Sequence, residues 1–388
     1  MGYMSPMLVA RLLVVVSVSS TIIPVDQRLG SQSSLSKAAV TTRANWRAGK
    51  EQPVDTTWRS RVAMEIAGPQ DGSGFQGISA IGRDSLGHFF VADRDGLHMT
   101  GSNGKYIRRI APPGRGPGEV LWVTGLVGVV GGGVWAVDYA NRRYSFFNGE
   151  GRFMVSRPRQ LSPLFVPWPG GSFGDGFIDF DREPVANGMR PIAIKADSTW
   201  LPRVRLPLPM DPDTHVPFAP ALVFRSGSDA IWFGTSEHYR LLRVTMNGDT
   251  TETVTGFRDP QPITAAERDT AYVRWRSRVG EIASGGARGS APMRFGSLPR
   301  RKPYFHGLVP LTDGGLGVLP IVAAEDQDRV MDLFGGTGRF RGPVRLPYEV
   351  MRHVAVVATR EGLVAAMMDA NGEEHVYVVR FVPEPRFD

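Results

Sequence analysis

The stretches DSLGHFFVAD at residues 84–93 and GGGVWAVD at residues 131–138 share one design: a glycine turn, then an apolar strand that ends at an aspartate. Each is followed by a glycine-containing hairpin, which predicts a further strand. The unit recurs four more times, at residues 169–200 (a weaker copy), 228–233, 313–319 and 360–366. Units spaced roughly 40 to 60 residues apart are typical of four-stranded propeller blades. The sequence therefore predicts an all-β, six-bladed propeller.

The two ends of this repeat region are predicted to meet. The last unit contains three predicted strands, at 353–359, 363–369 and 374–382. The first apolar strand of the repeat region, residues 58–66, can supply the fourth. Such pairing would close the ring and leave no open sheet edge. We therefore expect one propeller over residues 55–386, and a monomer.

Two stretches carry a family resemblance: GRGPGE at residues 114–119 and VWAVDYANRR at residues 134–143. On these motifs the chain resembles the NHL-like and TolB-like six-bladed β-propellers of bacteria, with Gly133 and Gly317 as departures from the usual pattern. The resemblance implies the fold and export from the cytoplasm. It implies no particular activity, because such propellers include binding modules, lyases, lactonases and structural proteins.

The N-terminal region is predicted to direct export. Residues 1–23 contain Arg11, an apolar run and then small residues, as in a signal peptide or an N-terminal anchor. The run is shorter than the roughly 20 residues that a transmembrane helix needs. Residues 24–54 are polar and aperiodic, and we interpret them as a linker. We expect a periplasmic or extracellular protein with no membrane span in the mature chain.

Composition excludes several kinds of chemistry. The chain has no cysteine, so disulfides, thiolate metal sites and cysteine nucleophiles are excluded. The sequence also contains no Gly-x-Ser-x-Gly elbow, Walker loop or zinc-protease motif. The net charge is +7, and residues 267–302 hold nine basic and three acidic residues, a local charge of +6.

This basic segment belongs to a predicted helical insertion between blades 4 and 5, residues 258–303. Thr264 and Glu267 form a capping-box pattern at the start of a helix over about 265–283. The apolar face of that helix is predicted to contain Tyr272, Trp275, Val279 and Ile282. Such a short helix is marginal alone and must dock on the propeller.

Four arginines of the insertion are candidate ligand-binding residues: Arg274, Arg278, Arg300 and Arg301. The insertion could be a surface helix with a solvated basic face. It could also be a lid or docking arm for an anionic envelope ligand bearing phosphate, carboxylate or sulfate. Nucleic acid is not an expected partner, because the arginines are not interleaved with stacking aromatics. Docking on an unknown partner protein would leave an apolar patch exposed beside Trp275.

Two histidines occupy matching places in adjacent units. His306 and His353 each lie nine residues before a turn glycine, Gly315 or Gly362. Both are predicted at the start of an innermost strand, near the mouth of the central channel. They are candidates for catalysis or for a divalent metal. The alternative is two hydrogen-bonded or exposed histidines, because the matching positions of other units offer no convincing third ligand.

Two function hypotheses follow. The first is a non-enzymatic, exported ligand-binding or protein-interaction propeller of the cell envelope, without a cofactor. The second is a metal-assisted lyase or hydrolase whose site lies at the channel mouth. The enzyme requires a third polar group within reach of both histidines, whereas the binding module needs only a basic or aromatic surface there.

Overall fold

The computed structural model describes the greater part of the predicted propeller region. The described residues are 58–69, 74–161, 165–173, 176–186, 188–196, 202–210, 217–256, 258–281, 298–323, 326–360 and 362–383. The predicted signal peptide and linker lie outside the described residues. The part of the chain that the structure describes contains no helical segment with the length and apolar character of a membrane span.

Sixteen strands form four separate antiparallel sheets of four strands each. Within each sheet the strands follow chain order, because hairpins join neighbours. The first two sheets contain β2–β5 (Ala80–Arg83, Phe89–Asp93, Gly96–Thr100, Tyr106–Ala111) and β6–β9 (Val123–Gly128, Gly133–Asp138, Arg143–Asn148, Phe153–Pro158). The next two contain β10–β13 (Gly171–Phe173, Gly176–Val185, Gly188–Ala196, Pro202–Pro207) and β14–β17 (Leu222–Ser226, Ile231–Thr235, Arg240–Val244, Thr250–Thr255).

The remaining strands form one nine-stranded sheet. Its first part is β18–β21 (Phe305–Pro310, Leu316–Pro320, Val330–Phe334, Phe340–Arg345). Its second part is β1 (Trp58–Ile66), β25 (Glu374–Pro383), β24 (Gly362–Met368) and the short strands β22 (Glu349–Val350) and β23 (Val357–Thr359). Both short strands pair with β24, one with each end of it.

The predicted pairing of the first and last strands is present. β1 lies antiparallel to β25 from the pair Trp58–Pro383 to the pair Ile66–Val376. β1 also makes a short parallel contact with β21, in which Trp58 faces Val344. This second contact joins the two parts of the nine-stranded sheet, so the ends of the repeat region are held in one ladder.

The sheets are arranged as in a β-propeller. The first strands contact one another in chain order, β2 to β6, β10, β14, β18 and β23, and β23 returns to β2. Six apolar clusters fill the spaces between successive groups of strands. One of them joins strands from the two ends of the chain, with Ile66, Phe89 and Val364 buried together. Apolar burial between faces of twisted sheets is the main stabilising term of such a ring.

Buried ion pairs also link neighbouring groups of strands. Asp179 of β11 accepts hydrogen bonds from the Arg159 Nε at 2.8 Å, the Trp168 Nε1 at 2.9 Å and the Tyr144 hydroxyl at 2.7 Å. Burial and then the Asp179 charge raise the pKa of Tyr144 well above its ordinary value, so the hydroxyl remains a donor. Burial opposes the charge of Arg159, but Asp179 outweighs it and raises its pKa.

Asp332 of β20 organises a second cluster of this kind. It accepts hydrogen bonds from the Tyr239 hydroxyl at 2.7 Å and from the Arg258 Nε at 2.7 Å. Arg258 is the first residue of the predicted insertion, so this ion pair fixes the insertion to the nine-stranded sheet.

The predicted helix is present as α1, Ala265–Glu281. The predicted capping box is also present: the Thr264 amide donates to Glu267 Oε2 at 2.9 Å, and the Glu267 amide donates to Thr264 Oγ1 at 3.3 Å. The predicted apolar face is wrong at Tyr272, whose exposed fraction is 46%. The buried apolar residues here are Ile263, which precedes the helix, and Ala271 within it.

For the three other residues of the predicted apolar face, the prediction of burial stays untested. The side chains of Trp275 and Val279, and the whole of Ile282, lie outside the described residues. Val273, beside them in sequence, is 61% exposed. The side chain of Arg278 likewise lies outside the described residues.

Candidate ligand-binding site

A cavity of about 240 Å³, named here the mouth cavity, opens at the end of the ring where β14 and β18 begin. Its walls are mostly apolar, with Phe165, Phe224 and Leu308 among them. Its polar side chains are those of Arg225, His306 and Arg352, and no carboxylate lines it among the described residues. An apolar cavity with a few convergent polar groups is typical of a small-molecule site.

His306 and Arg352 share one carboxylate, that of Asp328. The His306 Nε2 lies 2.9 Å from Asp328 Oδ1, and the Arg352 Nε lies 2.7 Å from Asp328 Oδ2. Gln327 Nε2 also lies 3.2 Å from Asp328 Oδ1. Burial opposes the charge of Asp328, but the hydrogen bonds from His306 and Arg352 outweigh it and lower its pKa. Asp328 is therefore a fixed anion that orients the His306 imidazole at the edge of the mouth cavity.

His353 has a different environment from that predicted. It lies in the turn between β22 and β23 and not at the start of an innermost strand, because the strand opposite β24 is interrupted there. Its Nε2 lies 3.1 Å from the carbonyl oxygen of Ile78. Among the described residues, no side chain hydrogen bonds to both His306 and His353. The link between them is indirect, through Arg352 and Asp328.

The only group of three potential metal-ligating side chains among the described residues lies elsewhere. Asp369, Glu373 and His375 each place one ligand atom within 4.8 Å of the others. Asp369 is already engaged in a turn, because its Oδ1 accepts the amides of Asn371 and Glu373 at 2.8 and 2.9 Å.

Two of the predicted basic residues, Arg300 and Arg301, lie on the segment that leads into β18 and the mouth cavity. Residues 300–302 pair with residues 261–263, and Lys302 Nζ lies 2.6 Å from Glu267 Oε1. This contact holds the start of α1 against the segment that leads directly into β18 and His306. The side chains of Arg274, Arg300 and Arg301 are exposed, and none forms an ion pair with a described residue. Arg300 and Arg301 therefore add positive charge, without an acidic partner among the described residues, next to the mouth cavity.

Sequence reasoning did not find Arg225 or Asp328. Arg225 interrupts the otherwise apolar start of β14, LVFRS, and this was the available signal. Asp328 has a positive φ of 62°, which is unusual outside glycine and indicates a residue held by its surroundings. Its partners are 22 and 24 residues away along the chain, and no local pattern predicts them.

The closed succession of sheets and the central cavities define a β-propeller-like protein with a basic channel mouth. The sequence matches no family model, and it matches no curated protein.

Two solved structures from Bacteroides are similar in fold. The first is a candidate exported protein of Bacteroides fragilis, 11% identical with a TM-score of 0.52, which covers 84% of this chain and 96% of that one. The second is a member of the DUF4221 family from Bacteroides vulgatus, 9% identical with a TM-score of 0.50, which covers 84% of this chain and 99% of that one. At such identities the similarity shows the fold alone.

Proposed function

We propose that this chain is an exported, six-bladed β-propeller of the cell envelope that binds an anionic ligand without chemical conversion. The observation that carries the proposal is an apolar cavity at one end of the ring, edged by His306 and Arg352. Beside it lies the helical insertion, in which exposed Arg274, Arg300 and Arg301 have no acidic partner among the described residues. Fixed positive charge around a concave surface attracts polyanions and raises their local concentration.

The blade count and the location are part of this proposal. Counting the nine-stranded sheet as two blades joined by β1 and β21 gives six, in keeping with six apolar clusters and six first strands around the channel. The motifs at 114–119 and 134–143 support an NHL-like or TolB-like relationship. Export is supported by the N-terminal apolar run and by the candidate exported protein that shares the fold.

The first prediction concerns the rim arginines. A triple variant, Arg274→Gln, Arg300→Gln and Arg301→Gln, is expected to bind sulfated and carboxylated polymers about tenfold more weakly, since each exposed charge contributes roughly 0.5 kcal/mol. Binding of dextran sulfate and polygalacturonate to the immobilised protein is the measurement. Neutral dextran should not bind.

The matched control removes three arginines from outermost strands: Arg61→Gln, Arg109→Gln and Arg157→Gln. All three are exposed, and the net-charge change equals that of the rim variant. We expect affinity to change less than about twofold in this control. If both triple variants lose the same affinity for the polymers, binding depends only on net charge, and the proposed site is wrong.

A second candidate function remains, because His306 lines a cavity and is oriented by an acid. A histidine held by a carboxylate is the usual arrangement of a general base. In this candidate a divalent metal would be held by His306 and His353, as predicted for a lyase or hydrolase.

The second prediction separates these functions by elemental analysis of the purified protein. The binding module is expected to carry no stoichiometric metal. Stoichiometric metal in the wild type that is lost in the His306→Ala/His353→Ala variant would contradict it and favour the enzyme.

A further inference from the structure

Arg225 lines two cavities of the ring. The first is the mouth cavity, and the second, of about 290 Å³, is named here the rear cavity. The polar side chains of Ser172, Ser226 and Thr312 also line the rear cavity. The rear cavity is formed by the ends of β2, β6 and β14 and by neighbouring turns. Arg225 therefore stands where the two cavities meet and is reached by solvent through them.

The guanidinium of Arg225 bonds only to uncharged acceptors. It donates to the carbonyl oxygens of Trp168 and, at 3.5 Å, Val356, which lie on segments leading into β10 and β23. Neither cavity is lined by an acidic side chain among the described residues. Burial lowers the pKa of Arg225 to about 10, which still leaves it charged at neutral pH. A guanidinium has five N–H donors, so donors remain for another acceptor.

A half-buried cation without an anion is costly, and proteins usually pair such a charge. Two other buried or half-buried arginines among the described residues follow that rule: Arg159 is paired with Asp179, and Arg258 with Asp332. Arg225 differs from both, because it has no acidic partner among the described residues.

A second polar group beside Arg225 also lacks a partner. Ser226 is 8% exposed, and its hydroxyl oxygen is buried without a hydrogen bond. The same residue lines the rear cavity. A buried unsatisfied hydroxyl is unusual and calls for a missing acceptor or donor. The rear cavity is thus lined by two residues of β14, Arg225 without an acidic partner and Ser226 with an unsatisfied hydroxyl.

We propose that the channel binds a small organic carboxylate, whose head group pairs with Arg225 and accepts a hydrogen bond from Ser226. Its apolar body lies in the mouth cavity against Phe224 and Leu308. A planar carboxylate accepts two parallel N–H bonds from a guanidinium, which makes it a better match than a spherical anion. This site is internal and distinct from the rim arginines, so it goes beyond the proposed binding of an anionic polymer.

The third prediction uses 4-fluorobenzoate as the probe and its neutral isostere, 4-fluorobenzamide, as the control. We expect ¹⁹F NMR to show saturable binding of the acid, and binding of the amide at least tenfold weaker. Arg225→Met should lose at least tenfold in affinity for the acid. Ser226→Ala should lose several-fold, as expected for one hydrogen bond to a charged group.

Circular dichroism establishes that each variant folds, and Arg225→Gln replaces Arg225→Met should the latter not fold. The rim variant at Arg274, Arg300 and Arg301 is expected to bind 4-fluorobenzoate as the wild type does, so failure of the polymer proposal and failure of this one are distinguishable. Equal affinity for acid and amide, unchanged affinity after loss of Arg225, or no saturable binding of the acid would each overturn the proposal.

Discussion

Asp179→Ala is expected to lower the free energy of unfolding by about 3–5 kcal/mol, because it leaves the Arg159 guanidinium buried without its anion. Asp179 is 1% exposed, and the Arg159 side chain is 5% exposed. The change also removes the acceptor of the Tyr144 hydroxyl and of the Trp168 ring nitrogen. Urea unfolding monitored by tryptophan fluorescence measures the loss.

The matched control is Asp249→Ala, an exposed aspartate in a hairpin turn, which should cost less than about 0.5 kcal/mol. A double variant, Asp179→Leu with Arg159→Met, tests the physical reason. Removing both charges should recover much of the stability, because the desolvation cost is removed together with the attraction. A cost below about 1 kcal/mol for Asp179→Ala would show that the ion pair does not hold the two sheets together.

Deletion of residues 58–66 is expected to prevent formation of a folded, soluble monomer. The deletion removes the strand that pairs with one edge of the ten-residue β25, while β24 still pairs with its other edge, so one edge of β25 is left open. It also removes Ile66, which is 2% exposed, from the cluster that joins the ends of the chain. Open strand edges of this kind favour aggregation. Size-exclusion chromatography and circular dichroism measure the outcome.

A rearranged chain distinguishes the loss of ring closure from a general effect of truncation. In the antiparallel pair, Trp58 faces Pro383, so residues 58–66 can follow residue 383 through a short turn and form the same ladder. A chain that begins at residue 67 and carries this strand at its C-terminus should therefore fold. If the deletion folds as a stable monomer, β1 is not the closing strand.

The sequence predicts the features of this molecule that depend on local chemistry. The capping box at Thr264 and Glu267 needs only a hydroxyl and a carboxylate three residues apart. The repeated turn-and-strand units likewise predict the hairpin-linked sheets. The pairing of residues 58–66 with the last strand could be predicted because a ring must close.

Features that depend on distant neighbours could not be predicted in this way. Helical periodicity alone places Tyr272 on a buried face, but its side chain is 46% exposed and the neighbouring Ala271 is buried instead. His306 and His353 match in sequence, yet the interruption between β22 and β23 gives His353 a separate environment. Three-dimensional packing pairs His306 with Asp328 and leaves Arg225 without an acidic partner among the described residues. No short sequence motif encodes either arrangement.

Hydrogen–deuterium exchange with and without dextran sulfate tests the central claim most directly, because it locates ligand binding on the ring. The account predicts slower exchange in residues 298–308 and 349–356 and in α1, with the outermost strands unchanged. Protection of outermost strands such as β5 or β9, or no protection anywhere at saturating polymer, would contradict a binding site at the channel mouth.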